Sequence, residues 1–176
     1  MADELKVNQS VMRLAKGFII DLDVEAIAYY ARPDLILGSG FGGAMATRGG
    51  PKIQEELKKF GVVNTTEAVV TSGGNLEANY IIHAVGPRFQ EERTEDKLLL
   101  TTLNVLRRAE ENNIQSLAFP AMGTGFYGIP LNICAKIVLR AVKEYLEKNT
   151  KLREVIFCLR DSREYSLFQE QLKAMS

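Results

Sequence analysis

Two short stretches of this chain have the residue types and the spacing to hold a phosphate. Gly38-Ser39-Gly40-Phe41-Gly42-Gly43 and Gly123-Thr124-Gly125-Phe126-Tyr127-Gly128 both read GxGxxG, the second preceded by Met122. Glycine has no side chain, so several backbone N–H groups can point into one small volume. A helix starting behind such a loop adds the partial positive charge of its amino terminus. One match is weak, because glycine is common in loops. Two in one short chain, each between an expected strand and an expected helix, are a stronger signal. Two such loops facing one another would grip two linked phosphates from opposite sides, with neither a metal nor a basic side chain. A dinucleotide fold of the Rossmann kind fits less well. Arg32 to Leu37 separate the first glycine from its strand, and the acid expected ~20 residues further on is absent. A P-loop is excluded, since neither loop carries Gly-Lys-Ser/Thr.

Other reactive residues are few. Cys134 and Cys158 are the two cysteines, His83 is the one histidine, and no CxxC or Cys/His cluster exists. No metal site and no cofactor are expected. Both cysteines lie in apolar segments and read as buried free thiols. A Ser-His or Cys-His catalytic group would need His83, which stands inside YIIHAVG and reads as a structural histidine in a strand.

The elements that must position the loops follow from periodicity. VMRLA, VEAIAYYA, EAVVTSGG, NYIIHAVGP, SLAFPAMG and REVIFCL read as strands. Residues 43–48 suit a short helix. Residues 51–61 suit another, with Pro51 at its first turn and Ile53, Leu57 and Phe60 on one side. Residues 94–112 form a helix in which Leu99, Leu103 and Leu106 recur at helical spacing. Residues 130–148 and 164–174 give two more. Strands separated by helices define an α/β fold, with helices on both faces of a largely parallel sheet. At 176 residues, without a linker, repeat or low-complexity segment, one domain over residues 1–176 is expected. Lys plus Arg and Asp plus Glu number 22 each, so the formal net charge is zero. That argues against bulk attraction to nucleic acid or membrane. Lys52, Lys58, Lys59, Arg88 and Arg93 read as a solvated surface. No apolar run approaches the ~20 residues of a membrane span, and MADELKVNQS lacks the regions of a signal peptide; a cytoplasmic location is expected.

Five segments carry a resemblance to a known family: LDVEAI (22–27), LGSGFGGAM (37–45), EAVVTSGGNL (67–76), YIIHAVGP (80–87) and LAFPAMGTGFYGIP (117–130). In order and spacing the chain resembles the macrodomains, the ADP-ribose-binding α/β family, from about Val11 to Leu172. The resemblance implies a three-layer α/β/α sandwich around a mixed, mainly parallel six-stranded sheet. It also implies that the two glycine loops grip the diphosphate of ADP-ribose.

The departures fall at both ends of the implied ligand. Where family members commonly read GDI, with the Asp on the adenine amino group, this chain has Gly17-Phe18-Ile19. Phe18 cannot accept that hydrogen bond but can stack on a base; Asp21 and Asp23 come later. The family's NAAN segment corresponds to Tyr29-Tyr30-Ala31-Arg32, so the amides that orient the distal ribose are replaced by Tyr29 and Arg32, and the larger Tyr29 is expected to fill space that the distal ribose would need. Gly42 stands where one hydrolytic branch places an Asp. Arg160 takes the position of an aromatic that stacks on adenine, and a guanidinium plane can also stack.

The resemblance, with the phosphate loops kept, implies a binding module for ADP-ribose or a related phosphorylated nucleotide, an ADP-ribosylated protein being one source of it. The alternatives are an enzyme that removes ADP-ribose from protein or phosphate from ADP-ribose 1″-phosphate, and a structural or RNA-associated domain. Hydrolysis needs a positioned water and a group to polarise it. The candidates are the ligand's own phosphate, Tyr29, Tyr127 and His83. Arg32 stays protonated and a tyrosine titrates near ~10, so neither is a general base at neutral pH.

Overall fold

Alternating apolar residues over Ser10–Lys16 and continuous apolar runs in four other segments assemble into one mixed sheet. The protein is described over residues 3–176 in a computed structural model. The strands are β1 (Glu4–Val7), β2 (Ser10–Lys16), β3 (Ala26–Tyr30), β4 (Ala68–Ser72), β5 (Tyr80–Ala84), β6 (Ser116–Phe119) and β7 (Glu154–Leu159). Their order across the sheet is β1-β2-β7-β6-β3-β5-β4. The inner five run parallel, and β1 and β4 are antiparallel edges. The helices are α1 (Gly40–Gly49), α2 (Lys52–Leu57), α3 (Thr94–Glu111), α4 (Leu131–Leu146) and α5 (Ser162–Met175). Among the described residues no helix is long and apolar enough to cross a membrane.

Period-two alternation along β3 builds two cores. Ala26, Ala28 and Tyr30 join one cluster with residues of α3, α4 and α5, including Val105, Val138 and Phe168. Ile27 and Tyr29 join the other, with Met45, Ile53 and Leu57 of α1 and α2. The result is the expected three-layer α/β/α sandwich. Its sheet has seven strands where the resemblance implied six. The added one is β1, a polar four-residue edge strand that pairs only with β2.

The other edge is closed by side chains. Arg108 Nε donates to the Ala68 carbonyl at 3.0 Å, and Glu56 Oε1 accepts the Ser72 N–H at 2.9 Å. Filling the outward backbone groups of an edge strand removes a template for pairing with another chain.

Three local expectations are corrected. The first short helix starts at Gly40, not Gly43, so the first glycine loop runs directly into it. Phe60 is exposed, because α2 tightens into a 3-10 turn at Lys58–Phe60 and swings the ring off the buried side. In α3 the buried face is Leu98, Thr101, Thr102, Val105, Leu106 and Ala109, with Leu99 exposed and Leu103 partly buried. Two threonines sit on the core side because their hydroxyls donate back to Lys97 O at 2.7 Å and Leu98 O at 2.8 Å. A polar residue satisfied within its own helix is invisible to a count of apolar positions.

His83 is a structural residue by its surroundings. Its ring is fully buried in β5, Nε2 lies 2.9 Å from Thr71 Oγ1, and Nδ1 has no hydrogen-bond partner among the described residues. Burial pushes its pKa down to about 3, against the opposing pull of Glu56. The unfolded chain takes up this proton near pH 6.5 and the folded chain only near pH 3. The stabilising contribution is therefore complete above pH 6.5 and falls as the pH drops through that window. At pH 5 the loss from this one group is expected to be about 2 kcal/mol relative to pH 7. Urea unfolding of wild type and His83→Gln at pH 7 and pH 5 checks it: the variant should lose less stability on acidification. Equal losses would show that the histidine does not set this slope.

Candidate functional site

The five parallel strands end on one edge of the sheet, and the two glycine loops and the candidate residues at both ends of the ligand lie along it, with Tyr29 packed beneath. In spatial order, β2 leads to Phe18 and Ile19, β7 to Arg160, β6 to the second glycine loop, β3 to Arg32 and the first glycine loop, and β5 to Gly86-Pro87-Arg88. The carboxyl edge of a parallel sheet is where α/β folds bind ligands. The strand order thus lays the candidates out in a line, from Phe18 and Arg160 at one end to Arg32 and Arg88 at the other.

At the first end, β2 and β7 are joined by the Gly17 N–H on the Leu159 carbonyl at 2.9 Å, which brings Phe18 and Arg160 alongside. Ile19 is buried beneath, in a 3-10 turn at Ile19–Asp21. Phe18 is 46% exposed and offers a free apolar face. Arg160 is held from behind: its Nη2 and Nε donate to Glu164 Oε2 at 2.8 and 3.2 Å, and Glu164 is itself buried. That hydrogen-bonded carboxylate raises the Arg160 pKa further. Asp161 caps α5 by accepting the Glu164 N–H at 2.9 Å, so the cap and the arginine anchor share one residue. Asp21 is engaged by Arg48 at 2.7 Å, at the far end of α1.

In the middle, the first loop enters α1 at Gly40 after Ser39 as N-cap. The first amide to close a helical turn is Gly43 N–H, on Ser39 O at 3.2 Å. The leading amides before it have no intrahelical partner, as at any helix start. The second loop turns through a 3-10 segment at Gly125–Tyr127 and is closed behind by Ile129 N–H on Gly123 O at 2.9 Å. Thr124 does not face outward: its hydroxyl donates to Ala121 O at 2.8 Å. Met122 is fully buried and supports the loop from within. A Cβ added at Gly38, Gly40 or Gly125 would meet no atom of the described residues within 4 Å. Those three glycines therefore border open space, on loops that follow the neighbouring strands β3 and β6.

Tyr29 departs from its expected place. Instead of filling the open cleft, its ring is 8% exposed and packs under α1, edge-on to Phe41 at 5.0 Å and to His83 at 6.0 Å. The β3 alternation sends residue 29 into the α1/α2 core. A Cβ at Gly42 would lie 2.8 Å from the Leu37 carbonyl carbon, and nearer still to its oxygen and to the Tyr29 hydroxyl. The aromatic at 29 and the missing side chain at 42 are thus one packing arrangement. Burial, reinforced by Tyr127, pushes the Tyr29 pKa up to about 12 against the pull of Arg32. It remains a neutral phenol at physiological pH.

Tyr30, which the sequence reading did not single out, is the strut of the site. It is buried on the opposite face of β3, its hydroxyl donates to the Pro87 carbonyl, and its ring meets Tyr127 edge-on at 4.8 Å. It also lies against Gly86 and Gly123, so one side chain spaces the second loop from the Gly86-Pro87 turn. The signal was available as an aromatic pair at the end of a strand, where alternation must send one ring to each face.

At the far end Arg32 is half-exposed and pairs with Asp34 at 2.7 Å, while Asp34 Oδ1 accepts the Ile36 N–H at 3.0 Å. Arg88 lies over the rings of Phe126, at 5.3 Å, and Tyr127, at 5.8 Å. Phe126 is 82% exposed, at the lip of the second loop. Both cysteines are free and buried, with thiol pKa values raised by burial. Among the described residues no group of three or more His, Cys, Asp or Glu is arranged to hold a metal ion.

A three-layer α/β/α sandwich with two glycine turns after neighbouring strands at the carboxyl edge defines the structural class. The sequence model of the macro domain matches residues 31–138. A macro domain-containing protein of Caldanaerobacter subterraneus is 42% identical over 165 residues, covering 90% of this chain and 94% of that protein. An Oceanobacillus iheyensis macrodomain solved with ADP superposes with a TM-score of 0.93 at 28% identity, over 98% of this chain and 95% of that one. A Trypanosoma brucei macrodomain in complex with ADP-ribose has a TM-score of 0.85 at 31% identity, over 90% of this chain and 68% of that one. The chain belongs to the macro domain family.

Proposed function

We propose that this protein is a binding module for ADP-ribose or a related phosphorylated nucleotide. The observation that carries this reading is the pair of glycine turns after the neighbouring strands β3 and β6, whose Gly38, Gly40 and Gly125, around the start of α1 and of the 3-10 turn, border open space. The leading N–H groups of two such turns suit the two phosphates of a diphosphate. Related macrodomains solved with ADP and with ADP-ribose support the same ligand class. The base lies toward Phe18 and Arg160, stacking on the ring or on the anchored guanidinium. The remainder of the ligand extends past Tyr127 toward Arg32.

Binding is favoured over hydrolysis by the chemistry of the far end. A phenol with a pKa of about 12, a guanidinium and a buried histidine that protonates only near pH 3 supply no general base in reach of a ligand. Titration calorimetry with ADP-ribose, ADP, NAD and a short oligonucleotide tests the reading. Saturable heat at one ligand per chain is expected for ADP-ribose and ADP, and none for the oligonucleotide. No heat from any nucleotide at millimolar ligand would end it.

A further inference from the structure

We propose that the open edge of β1 is a self-complementary surface on which a second copy of this chain pairs as an antiparallel strand. The two edges of the sheet differ. The outer edge of β4 is filled by Arg108 and Glu56, whereas among the described residues no hydrogen bond reaches the outer edge of β1. Which groups point outward follows from the register. Glu4 stands opposite Arg13, and the Leu14 N–H donates to the Asp3 carbonyl at 3.0 Å, so Asp3, Leu5 and Val7 exchange the inward bonds with β2. Val11 follows the same alternation: its N–H turns away from β1, to the Arg153 carbonyl at 2.9 Å. The N–H and C=O groups of Glu4 and Lys6 therefore face outward.

Those two residues carry opposite charges, two positions apart. In an antiparallel pair centred on Leu5, Glu4 lies opposite Lys6 of the copy, and Lys6 opposite its Glu4. Each of these pairs exchanges two backbone hydrogen bonds, so the outward groups of both strands are filled. Their side chains also attract directly across the ladder. Leu5, half-buried, meets Leu5 of the copy at the non-hydrogen-bonded position, where side chains come closest. A slip of two residues would set Glu4 against Glu4 or Lys6 against Lys6, so charge selects this one register. Edge charges commonly keep foreign strands away; the order Glu4-Leu5-Lys6 makes the same charges fit a copy of themselves. Among the described residues neither Glu4 nor Lys6 is in an ion pair, and Arg13, opposite Glu4, is engaged by Glu154. The edge is also held ready. Gln169 Nε2 donates to Asp3 Oδ1 at 2.8 Å and Asn8 Nδ2 to the Glu147 carbonyl at 2.7 Å, so pairing needs little further ordering. The two sheets then join into one, with their carboxyl edges facing opposite ways.

Sedimentation equilibrium of the full chain at low ionic strength, from about 10 μM to about 1 mM, tests the pairing. The shared edge is short, so a weak dimer with a dissociation constant of about 100 μM is expected. Glu4→Lys and Lys6→Glu should each weaken it at least about tenfold, since each reversal sets like charges opposite one another at both symmetric pairs. The double reversal Glu4→Lys/Lys6→Glu should restore it, because opposite charges face each other again. Lys6→Pro removes an outward N–H that the single chain does not use. It should abolish the dimer over this range, while its melting temperature at about 10 μM stays within about 3 °C of wild type. A wild type that is monomeric at about 1 mM refutes the pairing. So does a dimer that Lys6→Pro leaves untouched, or one that the double reversal fails to restore, because either would use another surface.

Discussion

Gly42→Asp is expected to lower stability by about 3 kcal/mol and to abolish nucleotide binding, without creating a hydrolase. Position 42 is where the family resemblance sets an acid in a hydrolytic branch, so the substitution is the obvious way to look for activity. The packing forbids it. Any Cβ at 42 collides with the Leu37 carbonyl group, which is backbone and cannot turn away, and with the Tyr29 hydroxyl. A carboxylate added there would also have to enter a buried aromatic contact. The Cβ effect is isolated by Gly42→Ala. Inside a helix, alanine in place of glycine normally stabilises by about 0.5–1 kcal/mol. Here it should destabilise by about 1–3 kcal/mol, as overpacking does. For a chain of this size, 3 kcal/mol lowers the melting temperature by roughly 6–12 °C. The double variant Tyr29→Phe/Gly42→Ala should recover only part of the loss, because Leu37 O remains. Thermal melts of the four proteins decide it. An unchanged or higher melting temperature for Gly42→Ala would show that the first loop yields at this point and that Tyr29 does not lock it.

What the sequence makes legible here depends on whether one residue or a neighbour decides its place. The glycine loops, the strands that precede them and the shared sheet edge follow from local pattern. Turn chemistry and apolar periodicity are properties of contiguous residues. The order of β3 and β6 as neighbours in the sheet is not local, yet the family resemblance supplied the architecture. Where the reading went astray, a distant partner had decided. Tyr29 reads as an obstacle in the cleft when judged by size alone. Its burial depends on Gly42, thirteen positions on, leaving room for its hydroxyl. Arg160 reads as a free stacking plane, but buried Glu164 anchors it and also serves the α5 cap. Thr101 and Thr102 read as polar, although back-bonds to their own helix make them core residues. Strand β1 was missed because four residues with charges at Glu4 and Lys6 carry little apolar signal; pairing with β2 creates it.

Gly125→Glu should cut affinity for ADP-ribose and ADP by at least about a hundredfold, some 2.7 kcal/mol, while leaving the fold intact. Gly125 has φ +72° and nothing within 4 Å of an added Cβ. The strain of a left-handed backbone costs a side chain about 1–2 kcal/mol, and no clash adds to it. The glutamate therefore extends into the open space at the start of the 3-10 turn. There its carboxylate does two things to a diphosphate: it competes for the same amide donors, and it repels the ligand's charge from within the clamp. Gly125→Ala carries the same backbone strain without the charge. It should keep much of the affinity, so the difference between the two variants measures the electrostatic part. Adding salt should narrow that difference, since screening weakens repulsion at an open site. A Gly125→Glu protein that binds ADP-ribose as the wild type does would place the diphosphate away from the second loop. Because the proposed reading sets base, phosphates and distal end in one line along the strand order of the sheet edge, it would displace the assignments of Arg160 and Arg32 as well.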